Sequence, residues 1–410
     1  MKIHYLLGAF IISMAILTGC TNNTGYVGHA NRDLLQETWM TKVNLDPSRW
    51  TRNADIWFFT GNPNQAERYA SNAPSDKAMS IMAVKVPQFS RIKVNGCFQV
   101  QIIGDQDHNS LFILGTNAAI RQTSVQIEGN TLCITQTKEG NASITSLNNV
   151  IVRVGVRNLR SLHVAGSAKV QGRNIISDKL MIHSSNADSI LLNGNMNLVK
   201  VDNTGTGTIS IIGARTPNLS INAKGNGTVN VAGQVGIRYV NHIGDGVVSI
   251  VGADSNSLVV HTGGNGLTTI AGYVNLKKII AADGSCVYIY WVDSRNVYII
   301  GRDHARIGIA GAAANIDINL TGLSRFEGRY LRGGNLYVQT HDYAHANVTA
   351  DRKLFASAGD QSSIYFFGSP NIASRNITDS GSILHVGASA PLWMPPMMMR
   401  CTSHPCRAYK

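Results

Sequence analysis

The sequence predicts an all-β chain, a parallel β-solenoid (β-helix) of roughly 10–12 coils behind a short N-terminal tether and adaptor. Three observations predict it. A unit of about 19 residues recurs from Leu159 onward, too short for the common helical repeats and lacking the leucine-rich signature. Within each unit, strands of period 2 alternate with glycine or Asx turns at fixed places. The composition agrees: 40 glycines and 15% charged residues in 410 leave little room for sustained amphipathic helices.

The first segment, "MKIHYLLGAFIISMAILTGC", has Lys2 in a short n-region, an apolar run from Tyr5 to Leu17, and then Leu17-Thr18-Gly19-Cys20. The run is short for a membrane span and ends on small residues before a cysteine. It resembles a bacterial lipobox. That resemblance implies a signal peptide over 1–19, cleavage before Cys20, a diacylglycerol on the Cys20 thiol and an acylated new amino terminus. Several acyl chains give stable membrane anchoring at roughly 0.8 kcal/mol per buried methylene. Thr21 stands where, by resemblance to enterobacterial lipoproteins, Asp signals inner-membrane retention, so the outer membrane is the expected destination.

Residues 20–84 read as a lipidated tether and adaptor. They begin as a polar spacer and continue into one short expected helix around Arg32 to Lys42. Trp39, Trp50 and Trp57 fall close together here; packing over the end of the main domain is their first reading and sugar stacking their second.

The solenoid is expected over 85–390. "FSRIKVNGCFQVQIIGDQ" alternates Ile92, Val94, Phe98, Val100 and Ile102 around a tight "NG" turn, and "SVQIEGNTLCITQ" repeats the scheme with Val125, Ile127, Leu132 and Ile134. These are strands joined by hairpin or corner turns. The repeats follow, among them "NLVKVDNTGTGTISIIGARTP", "NLSINAKGNGTVNVAGQVG" and "NLKKIIAADGSCVYIYWVDS", with Leu162, Leu198, Leu219, Leu258, Leu276, Val297, Ile316, Leu336 and Leu354 in equivalent places. In a solenoid each strand pairs in parallel with its equivalent one coil away, about 4.8 Å distant, so like residues stack into ladders. Gly225-Asn226-Gly227 is then a corner, because glycine reaches positive φ freely and Asn tolerates it. A phosphate cradle would need a following helix start, and none follows.

The stretch from Ile92 to Ile102 (I-x-V-x-G-x-F-x-V-x-I), the later "V-x-I-x-G-N-T-L-x-I" from Val125 to Ile134 and the L-x-V-x-G-x-A-x-V turn from Leu162 to Val170 resemble the DUF2807 family, "putative auto-transporter adhesin, head GIN domain". The resemblance covers about residues 85 to 250, with the repeats prolonging it to about 390. Cys97 departs from it, standing where the family has a small polar residue. It implies a cell-envelope β-solenoid, often a lipoprotein, with no assigned reaction and no functional residues to carry over.

One column carries polar side chains at the turns: Asn226, Asp245, Asn265, Asp283, Asp303, Asp342, Asp360 and Asp379. Such residues close their own turns and form ladders. Carboxylates on neighbouring coils also resemble the aspartates that solenoid polysaccharide hydrolases and lyases use for calcium or acid/base chemistry. Asp283 and Asp303 are the catalytic candidates under that alternative, with Arg302 and Arg306 nearby to offset their repulsion.

Other signals are weaker. His341 and His345 have helical metal spacing in a strand-and-turn context, where they do not share a face. Omitting Cys20 leaves Cys97, Cys133, Cys286, Cys401 and Cys406. Cys97 and Cys133 lie in strands that permit pairing, Cys401 and Cys406 can close a small loop, and Cys286 reads as a buried small hydrophobe. The Met/Cys-containing tail, 391–410, holds Met394, Met397, Met398, Met399 and His404, soft ligands suited to copper(I) but equally able to pack across a solenoid end. No G-x-S-x-G, H-E-x-x-H or paired C-x-x-C occurs, so no cofactor and no metal is assigned.

The net charge of +12 favours anionic partners. Basic residues are scattered without stacking aromatics, and with export this argues against nucleic acid. The expected function is a lipoprotein of the cell envelope that presents a non-catalytic binding or adhesion surface to an anionic polysaccharide or an envelope protein. The alternative is the polysaccharide hydrolase or lyase.

Overall fold

In the computed structural model the described residues are 50–53, 56–59, 79–136 and 150–388. The chain divides into two units, residues 1–50 and 51–410, and the description below concerns the second. The expected signal peptide, Cys20, the helix at 32–42, the side chains of Trp39, Trp50 and Trp57, and the tail with Cys401 and Cys406 lie outside the described residues.

The protein is a parallel β-solenoid of about 12 turns, and 74% of the described residues are strand. The strands before the stack are β1 (Trp50–Asn53), β2 (Ile56–Phe59) and β3 (Met79–Val84). The chain enters the stack with β4 (Arg91–Asn95) and β5 (Gln99–Ile103), two sides of one coil joined at Gly96. It then leaves through β6 (Ser110–Thr116), α1 (Asn117–Arg121) and β7 (Thr123–Glu128) before making a second coil from β8 (Thr131–Gln136) and β9 (Ile151–Gly155).

Spatial order here is not sequence order. β4 pairs in parallel with β8 on one side and with β10 (Ser161–Ala165) on the other, while β5 lies between β9 and β11 (Lys169–Ser185). The coil made second is therefore the outermost. Its free edge is covered by antiparallel partners, β7 on β8 and β6 on β9, with β3 on β6 and β2 on β3. Antiparallel strands break the repeat and so end the stack, which removes an edge open to further parallel pairing.

Beyond β11 each coil is one long bent strand: β12 (Ser189–Asn203), β13 (Thr208–Lys224), β14 (Thr228–Ile243), β15 (Val247–Gly263), β16 (Leu267–Ala281), β17 (Cys286–Gly301), β18 (Arg306–Leu320), β19 (Arg325–Thr340) and β20 (His345–Ala358). The last coils are β21 (Ser363–Phe367), β22 (Ile372–Ile377) and β23 (Ser382–Gly387). Alternation of buried and exposed residues is interrupted twice per coil by two successive outward residues. In β11 these are Arg173–Asn174 and Asp178–Lys179. An extra residue at each point turns the chain through a corner and returns the apolar set to the inside, so each coil has three short faces.

Inward positions stack into columns. Ile182, Val201, Ile221, Val240, Val260, Ile279, Ile299, Ile318 and Val338 are mutual register partners and all buried. Leu162 belongs to this column, opposite Ile182, and not to the leucine column predicted from sequence. Register there pairs Leu180 with Leu198, Leu258 with Leu276, and Val297, Ile316, Leu336 and Leu354 in succession. The corner bulges shift the spacing by a residue from coil to coil, which a fixed alignment cannot follow.

The cysteine expectations need correction. Cys97 and Cys133 are free thiols: register sets Cys133 opposite Lys93, while Cys97 lies past the next corner, its N–H donating to Gln136 Oε1. Cys286 is buried as expected, but it is disulfide-bonded.

Buried polar groups cluster at the turn. Thr262 and Ser285 hydroxyls meet at 2.9 Å, and those of Thr340 and Ser362 at 2.8 Å. His242 bonds Thr268 Oγ1 through Nδ1 at 2.9 Å, while its buried Nε2 has no partner. Burial holds the His242 imidazole below its ordinary value of 6.5. Burial does the same to His163, His261 and His345. These groups bind protons more readily unfolded than folded, so their contribution is present above the unfolded value and lost as pH falls from there through the folded value. Thermal unfolding is expected to move to lower temperature between about pH 8 and about pH 5, with a shallower slope in His242→Gln. An identical slope in the variant would remove His242 from this account.

Candidate functional site

The turns that close each coil carry the predicted Asx residues, in two adjacent columns and not one. The first is a left-handed position, occupied by Asn186, Gly225, Gly244, Gly264, Asp283, Asp303, Gly322, Asp342, Asp360 and Asp379, all with positive φ. Asn226, Asp245 and Asn265 come one residue later, after the glycine. The division has a steric cause: the left-handed site takes Gly or Asx, and where Gly225, Gly244 and Gly264 fill it the Asx side chain stands at the next place. Asn186 was not among the turn residues read from the sequence.

The two columns bond in opposite directions along the stack. In the first, four carboxylates reach back one coil: Gly264 N–H donates to Asp283 Oδ2 at 2.8 Å, Asp283 N–H to Asp303 Oδ2 at 3.3 Å, Gly322 N–H to Asp342 Oδ2 at 2.8 Å and Asp342 N–H to Asp360 Oδ2 at 2.9 Å. In the second, side chains reach forward, Asn265 N–H donating to Asp245 Oδ1 at 3.0 Å. Asp283 and Asp303 thus sit on adjacent coils, each aimed at a backbone amide. Among the described residues neither Arg302 nor Arg306 forms an ion pair with them; backbone N–H groups do the offsetting.

His341 and His345 go to different surroundings. His341 Nδ1 lies 3.7 Å from Asp360 Oδ2 in the turn, whereas His345 Nδ1 meets Ser363 Oγ at 2.7 Å on the following face. Among the described residues no group of three His, Cys, Asp or Glu side chains is placed to hold a metal ion.

A shallow cleft of about 420 Å³ opens on the second face of the first coils, lined by Asp105, Arg157, Asn158, Asp178, Asn197 and Arg215 among others. Asp178 is paired with Arg160 at 2.8 Å, and that guanidinium bond holds its carboxyl below the usual range. Arg157 and Arg215 have no side-chain partner among the described residues. The cleft continues along the same face as a polar strip, since Arg215 is registered to Gln234 and, further on, Asp254 to Tyr273. Sequence reading missed it because its lining comes from separate coils.

Outward ladders, one shallow cleft with unpaired arginines, and carboxylates committed to backbone amides define a class: a repeat-built scaffold whose surface recurs every coil. Residues 88–289 match the DUF2807 family, described as "Putative auto-transporter adhesin, head GIN domain", which bears out the resemblance over that part of the chain. The match runs past the 250 expected from the motifs and ends before the 390 to which the repeats were expected to prolong it. No curated protein matches the chain. Among solved structures, an adhesin-named protein from Bacteroides fragilis is 13% identical, covering 76% of this chain and 99% of its own at a TM-score of 0.23. One from Parabacteroides merdae is 12% identical, covering 75% and 96% at 0.25, and a protein from Parabacteroides distasonis named for lipid binding is 15% identical, covering 74% and 95% at 0.23. TM-scores this low carry no argument; the fold rests on the strand registers.

Proposed function

We propose that this protein is a lipid-anchored component of the cell envelope, presenting its solenoid as a non-catalytic surface for binding or adhesion, with an anionic polysaccharide as ligand. The observation that carries the reading is the pair Arg157 and Arg215 in an open cleft on a face that runs on along the coils. Guanidinium groups without internal partners suit carboxylate or sulfate groups, and a repeating face suits a repeating ligand. The family's description as an adhesin supports the same reading. The rival reading, a hydrolase or lyase, needs carboxylates that converge on one bond. At the left-handed turn position Asp283 and Asp303 point the same way and are spent on backbone amides.

Electrophoresis through gels containing an acidic polysaccharide tests the proposal. The wild-type chain is expected to be retarded, less so at high salt, and the double variant Arg157→Ala/Arg215→Ala to lose about tenfold in affinity, the size of one or two charge-assisted hydrogen bonds. Equal retardation of variant and wild type would move the ligand off this cleft. Polysaccharide cleavage by the wild type would favour the enzyme.

A further inference from the structure

From β11 to β18 the first corner of the coils follows an alternation. In every second coil the chain turns through a left-handed residue: Asn174 (φ 52°), Gly213 (φ 85°), Gly252 (φ 79°) and Trp291 (φ 64°). The intervening coils turn instead on Gly194, Gly233, Gly272 and Gly311, whose φ lies between 135° and 154°. Asn and Gly suit the first set. A tryptophan does not: a bulky residue in the left-handed region costs roughly 1–2 kcal/mol.

Nothing in the core requires that tryptophan. Its side chain is 53% exposed, with Tyr290 against it at a ring separation of 6.5 Å. Tyr273, one coil earlier, is 73% exposed. Register places Tyr273 beside Trp291, because the flanking pairs are Ala271 with Tyr290 and Val274 with Val292. Their backbones therefore lie on consecutive coils, about 4.8 Å apart along the axis. An apolar ladder of Ile212, Ala232, Val251, Ala271 and Tyr290 leads up to them. On the adjoining face Asp254 is registered to Tyr273, and Asp293 comes one residue past the Val274–Val292 pair on the next coil; neither carboxylate has a side-chain partner among the described residues.

We propose that Trp291 and Tyr273 form a stacking platform for the pyranose rings of a neutral stretch of glycan, with Asp254 and Asp293 accepting hydrogen bonds from its hydroxyls. Aromatic rings receive the apolar C–H face of a sugar, and the carboxylates receive its O–H groups. The two carboxylates disfavour acidic sugars at this spot, which sets it apart from the arginine cleft further along the same face. Strain kept at an exposed position, where glycine serves in the equivalent coils, is the mark of a residue held for contact and not for folding. This inference deepens the binding reading and rests on it.

The test uses the full chain in native affinity gels containing a neutral β-glucan, a mannan or a galactan, with an acidic polysaccharide gel alongside. Trp291→Gly restores the residue that the fold uses at Gly213 and Gly252, so it is expected to melt no lower than wild type. Retardation of wild type in at least one neutral gel is expected, falling at least about tenfold in Trp291→Gly and comparably in Tyr273→Ala. Neutral-gel retardation unchanged in Trp291→Gly would overturn the platform. Retardation of the wild type by acidic polysaccharide alone would overturn it too, leaving the arginine cleft standing. If no gel retards the wild type, both readings fall. Quenching of the tryptophan fluorescence by choline without any neutral-gel retardation would also overturn it, in favour of a cation site.

Discussion

Asp283→Ala is expected to destabilise the solenoid by about 2 kcal/mol, Asp283→Gly by less, and Asp283→Asn by under about 0.5 kcal/mol. The order follows from two separable roles. Asp283 holds a left-handed backbone, φ 57°, and its Oδ2 accepts the Gly264 N–H of the preceding coil at 2.8 Å. Alanine loses both, since a Cβ without a local polar group is disfavoured there and the amide is left to water. Glycine keeps the backbone and loses the bond. Asparagine keeps the backbone and an acceptor oxygen, and surrenders only the charge. Denaturant unfolding of the four proteins reads the series. The same set discriminates function: a catalytic carboxylate would make Asp283→Asn the damaging change, with polysaccharide cleavage lost at unaltered stability. That result, or its counterpart at Asp303, would sink the scaffold reading.

Cys20→Ala is expected to move the protein from the membrane fraction to the soluble fraction, an all-or-none effect. One acyl chain gives only reversible membrane binding, whereas two or more hold a protein firmly, at roughly 0.8 kcal/mol per buried methylene. Among the described residues no helix is long and apolar enough to cross a membrane. Fractionation with mass measurement of the mature chain checks the anchor. Retention of residues 1–19 in the mature protein, or unchanged membrane association of the variant, would refute it.

The predictions differ in how far sequence could reach. The Asp283 turn was visible, because Gly and Asx recur at an interval that only a stacked coil explains. Its hydrogen bond was not, because the acceptor serves an amide in another coil. Collapsing two columns into one was the same kind of error: Asn265 and Asp283 look equivalent until Gly264 is seen opposite Asp283 across the stack. Trp291 was printed plainly in "YIYWVDS". Its meaning depended on knowing that Gly252 and Gly213 turn the same corner two and four coils earlier.

By itself the sequence determined what one coil needs: which residues alternate inward, where glycine or Asx must turn the chain, and that about 19 residues close a circuit. Those requirements are local, set by backbone sterics and the period of a strand, and any coil states them in full. The tertiary structure alone decided how coils meet. It placed the β8–β9 coil outside the β4–β5 coil, closed that end with antiparallel strands, and shifted register at each corner bulge. It also brought Arg157 to Arg215 and Tyr273 to Trp291. The physical reason is that contacts between coils join residues far apart in the chain, and a one-residue bulge, cheap to make locally, resets every partner beyond it.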